Sequence, residues 1–182
     1  MKYFSGGFIN LYKEPNISSL QSFRPLKKIF MKEKIGHIGT LDPAAEGVLP
    51  IAIGKATRLI EFVLNENKIY KAIIEFGHET DTLDLEGKII NKGNTEHLNE
   101  QLIKDKLKDF IGEIDQIPPT YSAIKISGQR AYKIKRNGGN PKMPLRKINV
   151  SNINFIKFTK QNQNSKGPKV EVEIECATGF YV

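Results

Sequence analysis

The 182-residue chain has no tryptophan, one cysteine (Cys176) and three histidines scattered along its length. A single cysteine excludes an internal disulfide, and without a second thiol a structural zinc site has too few ligands. No apolar run approaches the roughly 20 residues that span a bilayer. The opening Met-Lys-Tyr-Phe-Ser-Gly-Gly-Phe lacks the long apolar segment of a signal peptide, which predicts a cytoplasmic protein. Acidic residues are also short, 20 against 28 Lys and Arg, leaving a net charge of +8. Chemistry is therefore left to carboxylates, hydroxyls, amides and imidazoles.

What is present suits a folded domain, since 39% of residues are hydrophobic and 26% charged. The charge is unevenly spread. Residues 1–40 carry 7 basic and 2 acidic side chains, residues 41–120 carry 9 and 15, and residues 121–182 carry 12 and 3. Two basic ends flank an acidic middle. If those ends share a surface, they make the positive ground that a polyanion requires; the alternative is lysine spread over a solvated surface.

Periodicity and breakers predict the elements. Residues 6–12 are β-prone, and Lys13-Glu14-Pro15-Asn16 breaks the run. Ser18 or Ser19 caps a following helix with Leu20, Phe23 and Phe30 on one face, which Pro25 either kinks or starts later, near Phe23. A short helix is expected over 54–64. A strand follows over 68–76, with Tyr70, Ala72, Ile74 and Phe76 on one face, and a short one over 88–90. Leu98, Leu102, Ile103, Leu107, Phe110 and Ile111 recur at helical spacing up to Gly112. A short strand over 124–126 and a basic helix over 131–136 precede two long strands, 148–158 and 170–176, joined by a polar hairpin. No internal repeat is present. The pattern predicts one α+β domain around a mixed, largely antiparallel sheet.

One loop concentrates chemical interest. Asp42 stands between two glycines, Gly36 and Gly39, and Pro43, which biases the residue before it toward extended conformations. Taken alone, an Asp-Pro pair more often forms a turn than an active site. The longer string Gly36-His37-Ile38-Gly39-Thr40-Leu41-Asp42-Pro43, with Gly47 to Ile51 and Gly54 to Leu59, closely resembles the signature of TruB-type tRNA pseudouridine synthases. Lys68-Ile69-Tyr70, Gly77 to Thr82, Pro118 to Lys125, Gly128 to Tyr132 and Gly179 to Val182 extend the resemblance over nearly the whole chain.

The resemblance implies a pseudouridine synthase fold and isomerisation of a T-loop uridine of tRNA to pseudouridine, without cofactor or metal. It assigns Asp42 as the catalytic carboxylate, Tyr70 to stack on the target base, His37 to displace the target nucleotide, and Tyr181 to the pocket wall. Lys13, Lys27, Lys28, Lys125, Arg130, Lys133 and Arg136 are candidate phosphate contacts to the T-arm, in a protein expected to be a monomer.

Two departures from the family pattern stand out. Lys13-Glu14-Pro15-Asn16 replaces Lys-Pro-x-Gly, and Glu46 replaces a common Thr or Ser. The family also places an arginine after the position of Val182, and often a PUA-like module later. Their absence predicts an incomplete catalytic domain, weak activity alone, and a final strand without a neighbour. Competing readings are a dyskerin-like, guide-RNA-dependent synthase and a non-catalytic RNA-binding or tRNA-folding module.

Overall fold

The computed structural model describes residues 6–163 and 165–182, which divide into two compact units at the junction of Glu66 and Asn67. The first unit is built on strand β1 (Gly6–Lys13), which pairs antiparallel with β3 (Gly47–Gly54) from Gly6 opposite Gly54 to Lys13 opposite Gly47. Gly6 is obligatory there, because a Cβ would collide with the Ile53 carbonyl oxygen and with the backbone nitrogens of Lys55 and Ala56. Strand β2 (Ile35–His37) lines the other edge of β3.

A proline in a central strand normally removes a ladder bond. Pro50 has no N–H to give, but its carbonyl still accepts from Ile38 N–H at 2.8 Å, just past the end of β2.

Between β1 and β2 the expected helix is two short ones, α1 (Ser19–Ser22) and α2 (Arg24–Ile29). Ser18 and Gln21 cap α1 reciprocally, and Pro25 sits in the first turn of α2, where its missing N–H costs nothing. Phe23 is the joint. It is buried with Leu49, Ile51 and Ile53, and Ile9, Leu11, Leu26, Phe30, Ile35 and Leu41 pack around them. Each such side chain contributes about 1.5–3 kcal/mol on full burial. A 3₁₀ turn (Lys55–Leu59) and α3 (Ile60–Val63) follow β3, in place of one regular helix.

The second unit holds a four-stranded antiparallel sheet in the order β4-β11-β10-β7. Its strands are β4 (Lys68–Glu75), β7 (Gly112–Gln116), β10 (Arg146–Thr159) and β11 (Lys169–Cys176). The alternation read in the sequence is the register observed: Val170, Val172, Ile174 and Cys176 are buried while the intervening glutamates are not. The expectation that the final strand lacks a neighbour is wrong. β11 is an inner strand, hydrogen-bonded to β10 on one side and β4 on the other.

Helix α4 (Glu100–Leu107), capped by the Asn99 side chain, sets Ile103 and Leu107 against this core and continues as a 3₁₀ turn to Phe110. Gly112 then takes φ +99°, the stop its position predicts. Two short hairpins, β5 (His78–Thr80) with β6 (Ile89–Lys92) and β8 (Lys125–Ile126) with β9 (Gln129–Arg130), complete the strands, and α5 (Ala131–Arg136) follows β9. The architecture is α+β and mostly antiparallel.

Candidate active site

Asp42 lies in the loop from β2 to β3, and the residue is exposed. The backbone around it is held at every second residue. Leu41 is fixed by Ser19, whose hydroxyl donates to Leu41 O at 2.8 Å and accepts from Leu41 N–H at 3.0 Å. Pro43 O accepts from Asn16 N–H at 2.7 Å and from the Lys13 ammonium at 3.1 Å, which uses both of its lone pairs. Ala45 O accepts from Lys13 at 2.6 Å, and Ala45 N–H donates back to Asp42 O at 3.1 Å, closing a turn with Pro43 at its second position. Leu41 also packs on the apolar cluster. The loop presents the Asp42 carboxylate on a backbone hydrogen-bonded on both sides of it.

Lys13 corrects a sequence expectation. Grouped there with phosphate contacts, it is fully buried, and its ammonium is bonded to the carbonyls of Glu14, Pro43 and Ala45. It is an internal strut. Burial pulls its pKa below the usual lysine value, and the carboxylates of Asp42 and Glu46 oppose that shift. Asp42 therefore sits in the field of a buried cation.

The departure at Lys13-Glu14-Pro15-Asn16 is accommodated. Asn16 takes φ +65°, a left-handed conformation that asparagine tolerates better than most side chains, so it serves where the family pattern has glycine. Glu46 accepts a hydrogen bond from the Tyr12 hydroxyl at 2.7 Å.

His37 is half-buried at the end of β2, its ring 5.6 Å from that of Phe23. Its Nδ1 is bonded to Gly39 O; because a carbonyl only accepts, Nδ1 carries the proton. Gly39 has φ +79°, so the chain turns directly after the histidine. His37 and Asp42 thus share one braced loop.

The two candidate tyrosines lie in the second unit. Tyr70, on β4 opposite Ile174, is half-buried and packs against the sheet's core. Tyr181 is held through its backbone by the Gln116 side chain, whose amide donates to Tyr181 O at 2.7 Å and accepts from Tyr181 N–H at 3.0 Å. Lys68 donates to Thr178 Oγ1 at 2.6 Å, tying the start of β4 to the segment that carries Tyr181.

Lys27 and Lys28 lie in the last turn of α2. Lys125 and Arg130 face one another across β8 and β9, and Arg130 is bonded to Ala123 O. Lys133 and Arg136 are on α5, with Arg136 over the Tyr132 ring. Among the described residues, no group of three His, Cys, Asp or Glu could hold a metal ion, and no helix is long and apolar enough to cross a membrane.

Sequence reasoning missed Ser19, Gln116 and the Tyr12–Glu46 pair. Only Asn16 carried a local sign, an asparagine after proline in a loop.

Residues 27–182 match the model of the TruB family pseudouridylate synthase N-terminal domain. The tRNA pseudouridine synthase B of Clostridium tetani is 43% identical over 97% of this chain, and that of Trichormus variabilis 42% identical over the same share. The chain spans 58% of the length of each. Among solved structures, a Cbf5-Nop10-Gar1 complex superposes with a TM-score of 0.66 at 31% identity, covering 97% of this chain and 41% of that one. An H/ACA RNP bound to a substrate RNA containing 2'-deoxyuridine gives 0.62 at 28%, covering 96% and 39%. The matched span takes in Asp42, His37, Tyr70 and Tyr181, and the chain belongs to the TruB family of pseudouridylate synthases.

Proposed function

We propose that this chain supplies the catalytic residues for isomerising a T-loop uridine of tRNA to pseudouridine. The observation that carries the reading is the bracing of the loop at Leu41, Pro43 and Ala45, with the exposed Asp42 between the first two. Preorganised placement of a reacting group removes an entropic cost from the chemical step.

The reaction breaks the bond between C1' of the ribose and N1 of the base and forms one from C1' to C5. The C5 proton is lost to solvent, N1 regains a proton, and no electrons are exchanged with a cofactor. The Asp42 carboxyl group is the one that acts on the sugar or base. The base must leave its stack first, a role for His37. Tyr70 offers a ring face on which an extracted base can stack and a phenol that can move a proton, and Tyr181 a second phenol for the target nucleotide. Lys27, Lys28, Lys125, Arg130, Lys133 and Arg136 contact the T-arm phosphates. The protein works as a cytoplasmic monomer.

Tritium release from tRNA carrying uridine labelled at C5 tests the reading, using the chain and its longest natural form. Release that is abolished by Asp42→Asn supports it; no release, or equal release by the variant, defeats it.

A second reading is a guide-RNA-dependent synthase working in an RNA–protein particle, favoured by the likeness to the H/ACA RNP bound to a substrate RNA. The higher identity to tRNA pseudouridine synthase B weighs against it. Release that strictly requires added guide RNA and protein would reverse that judgement.

A further inference from the structure

We propose that Tyr12 and Glu46 form a second clamp on the Asp42 loop and act as positioning residues for its carboxylate. The inference rests on the catalytic reading of Asp42, but the clamp itself is a feature of the backbone.

Successive residues of a strand point to opposite faces. At the end of β1, Lys13 is fully buried while Tyr12 is 58% exposed. Lys13 takes hold of the loop from within, through Pro43 O and Ala45 O. Glu46 is the next residue along, and the Tyr12 hydroxyl donates to it at 2.7 Å from the outer face. Two adjacent residues of one strand therefore grip residues 43–46 from both sides. The Ala45 N–H to Asp42 O bond sits inside that grip.

The chemistry of the pair fits holding rather than substrate binding. A carboxylate beside a polyanion site repels phosphate, so Glu46 is a poor contact for RNA. Its acceptor is engaged by the phenol, which Glu46 in turn holds above the usual tyrosine pKa, chiefly through the hydrogen bond. A Thr or Ser in place of Glu46 has a shorter reach and would leave the Tyr12 hydroxyl without this acceptor. The single exposed bond has little weight in global stability. Its effect is local, on how long the turn stays closed.

The first measurement is amide hydrogen exchange at Ala45 in the chain itself, for wild type, Tyr12→Phe, Glu46→Ala and the double variant. Exchange rising several-fold in each single variant, and no further in the double, supports the clamp. Unchanged or multiplicative exchange overturns it, whatever the activity.

The second is tritium release by the longest natural form. The clamp predicts that each single variant lowers kcat three- to tenfold with KM for tRNA within twofold, and that Glu46→Gln, whose amide oxygen still accepts, recovers most of the rate. A change in KM alone assigns Glu46 to charge repulsion and overturns the proposal. An inactive wild type defeats the catalytic reading and leaves the exchange result to decide the clamp.

Discussion

The Ser19 hydroxyl makes both hydrogen bonds of the Leu41 backbone, donating to its oxygen at 2.8 Å and accepting from its N–H at 3.0 Å, one residue before Asp42. A side chain here does what a neighbouring strand would do. Ser19→Ala leaves the N–H and C=O of the half-buried Leu41 without their partner, a combined cost of about 1–3 kcal/mol. Urea unfolding is expected to show a loss within that range, and tritium release a fall in kcat of about tenfold as Asp42 gains freedom.

Lys13 and the other basic candidates separate by mechanism. Lys13→Met removes a charged donor from three carbonyls and should destabilise the fold by roughly 2–4 kcal/mol, with the salt dependence of tRNA binding unchanged. Lys133→Ala with Arg136→Ala should leave stability within about 0.5 kcal/mol, weaken tRNA binding and flatten its salt dependence. Filter binding across a salt series checks both; a flat wild-type response would remove the phosphate-contact reading.

Glu75 supplies an acid-sensitive fastening. Burial raises its pKa, but the N–H groups of Lys166 and Gly167, with Lys169 and His78 nearby, outweigh that and hold it below the usual carboxylate value. A depressed carboxylate adds stability that is complete above the unfolded value, about 4.3, and is lost as pH falls through the folded one. The stability difference between wild type and Glu75→Gln, measured by urea unfolding, should therefore shrink as pH is lowered from 7 toward 3.

Cys176 is the converse case. It is fully buried at the end of β11, and burial pushes its thiol pKa up. Native protein should react with Ellman's reagent far more slowly than unfolded protein. Because the folded thiol keeps its proton longer, its contribution is complete below the unfolded pKa, about 8.5, and declines as pH rises toward the folded value. The stability gap between wild type and Cys176→Ala should narrow over that window.

Elements whose signal is local are readable in the sequence. β11 alternates strictly, and α5 spans the residues its pattern marks, 131–136. β3 is not legible as a strand, because its apolar run is continuous and holds Pro50. The site divides along the same line. Asp42, His37, Tyr70 and Tyr181 stand out through the family motif, whereas Lys13 reads as surface charge and Ser19 as a helix cap. Their partners lie 30 and 22 residues away, a distance local pattern cannot cross. The second neighbour of the final strand is equally hidden, because its pairing with β4 reaches across the whole second unit.

Catalysis by the Asp42 carboxylate on its braced loop is the proposal on which the rest depends, and one experiment tests it. The direct measurement is single-turnover tritium release from C5-labelled tRNA by the longest natural form and its Asp42→Asn variant, with tRNA affinity measured in parallel. Catalysis by Asp42 requires release by the wild type, none above background by the variant, and affinities within about threefold, since an asparagine side chain leaves the loop's backbone bonds in place. Equal release by the two proteins would contradict it.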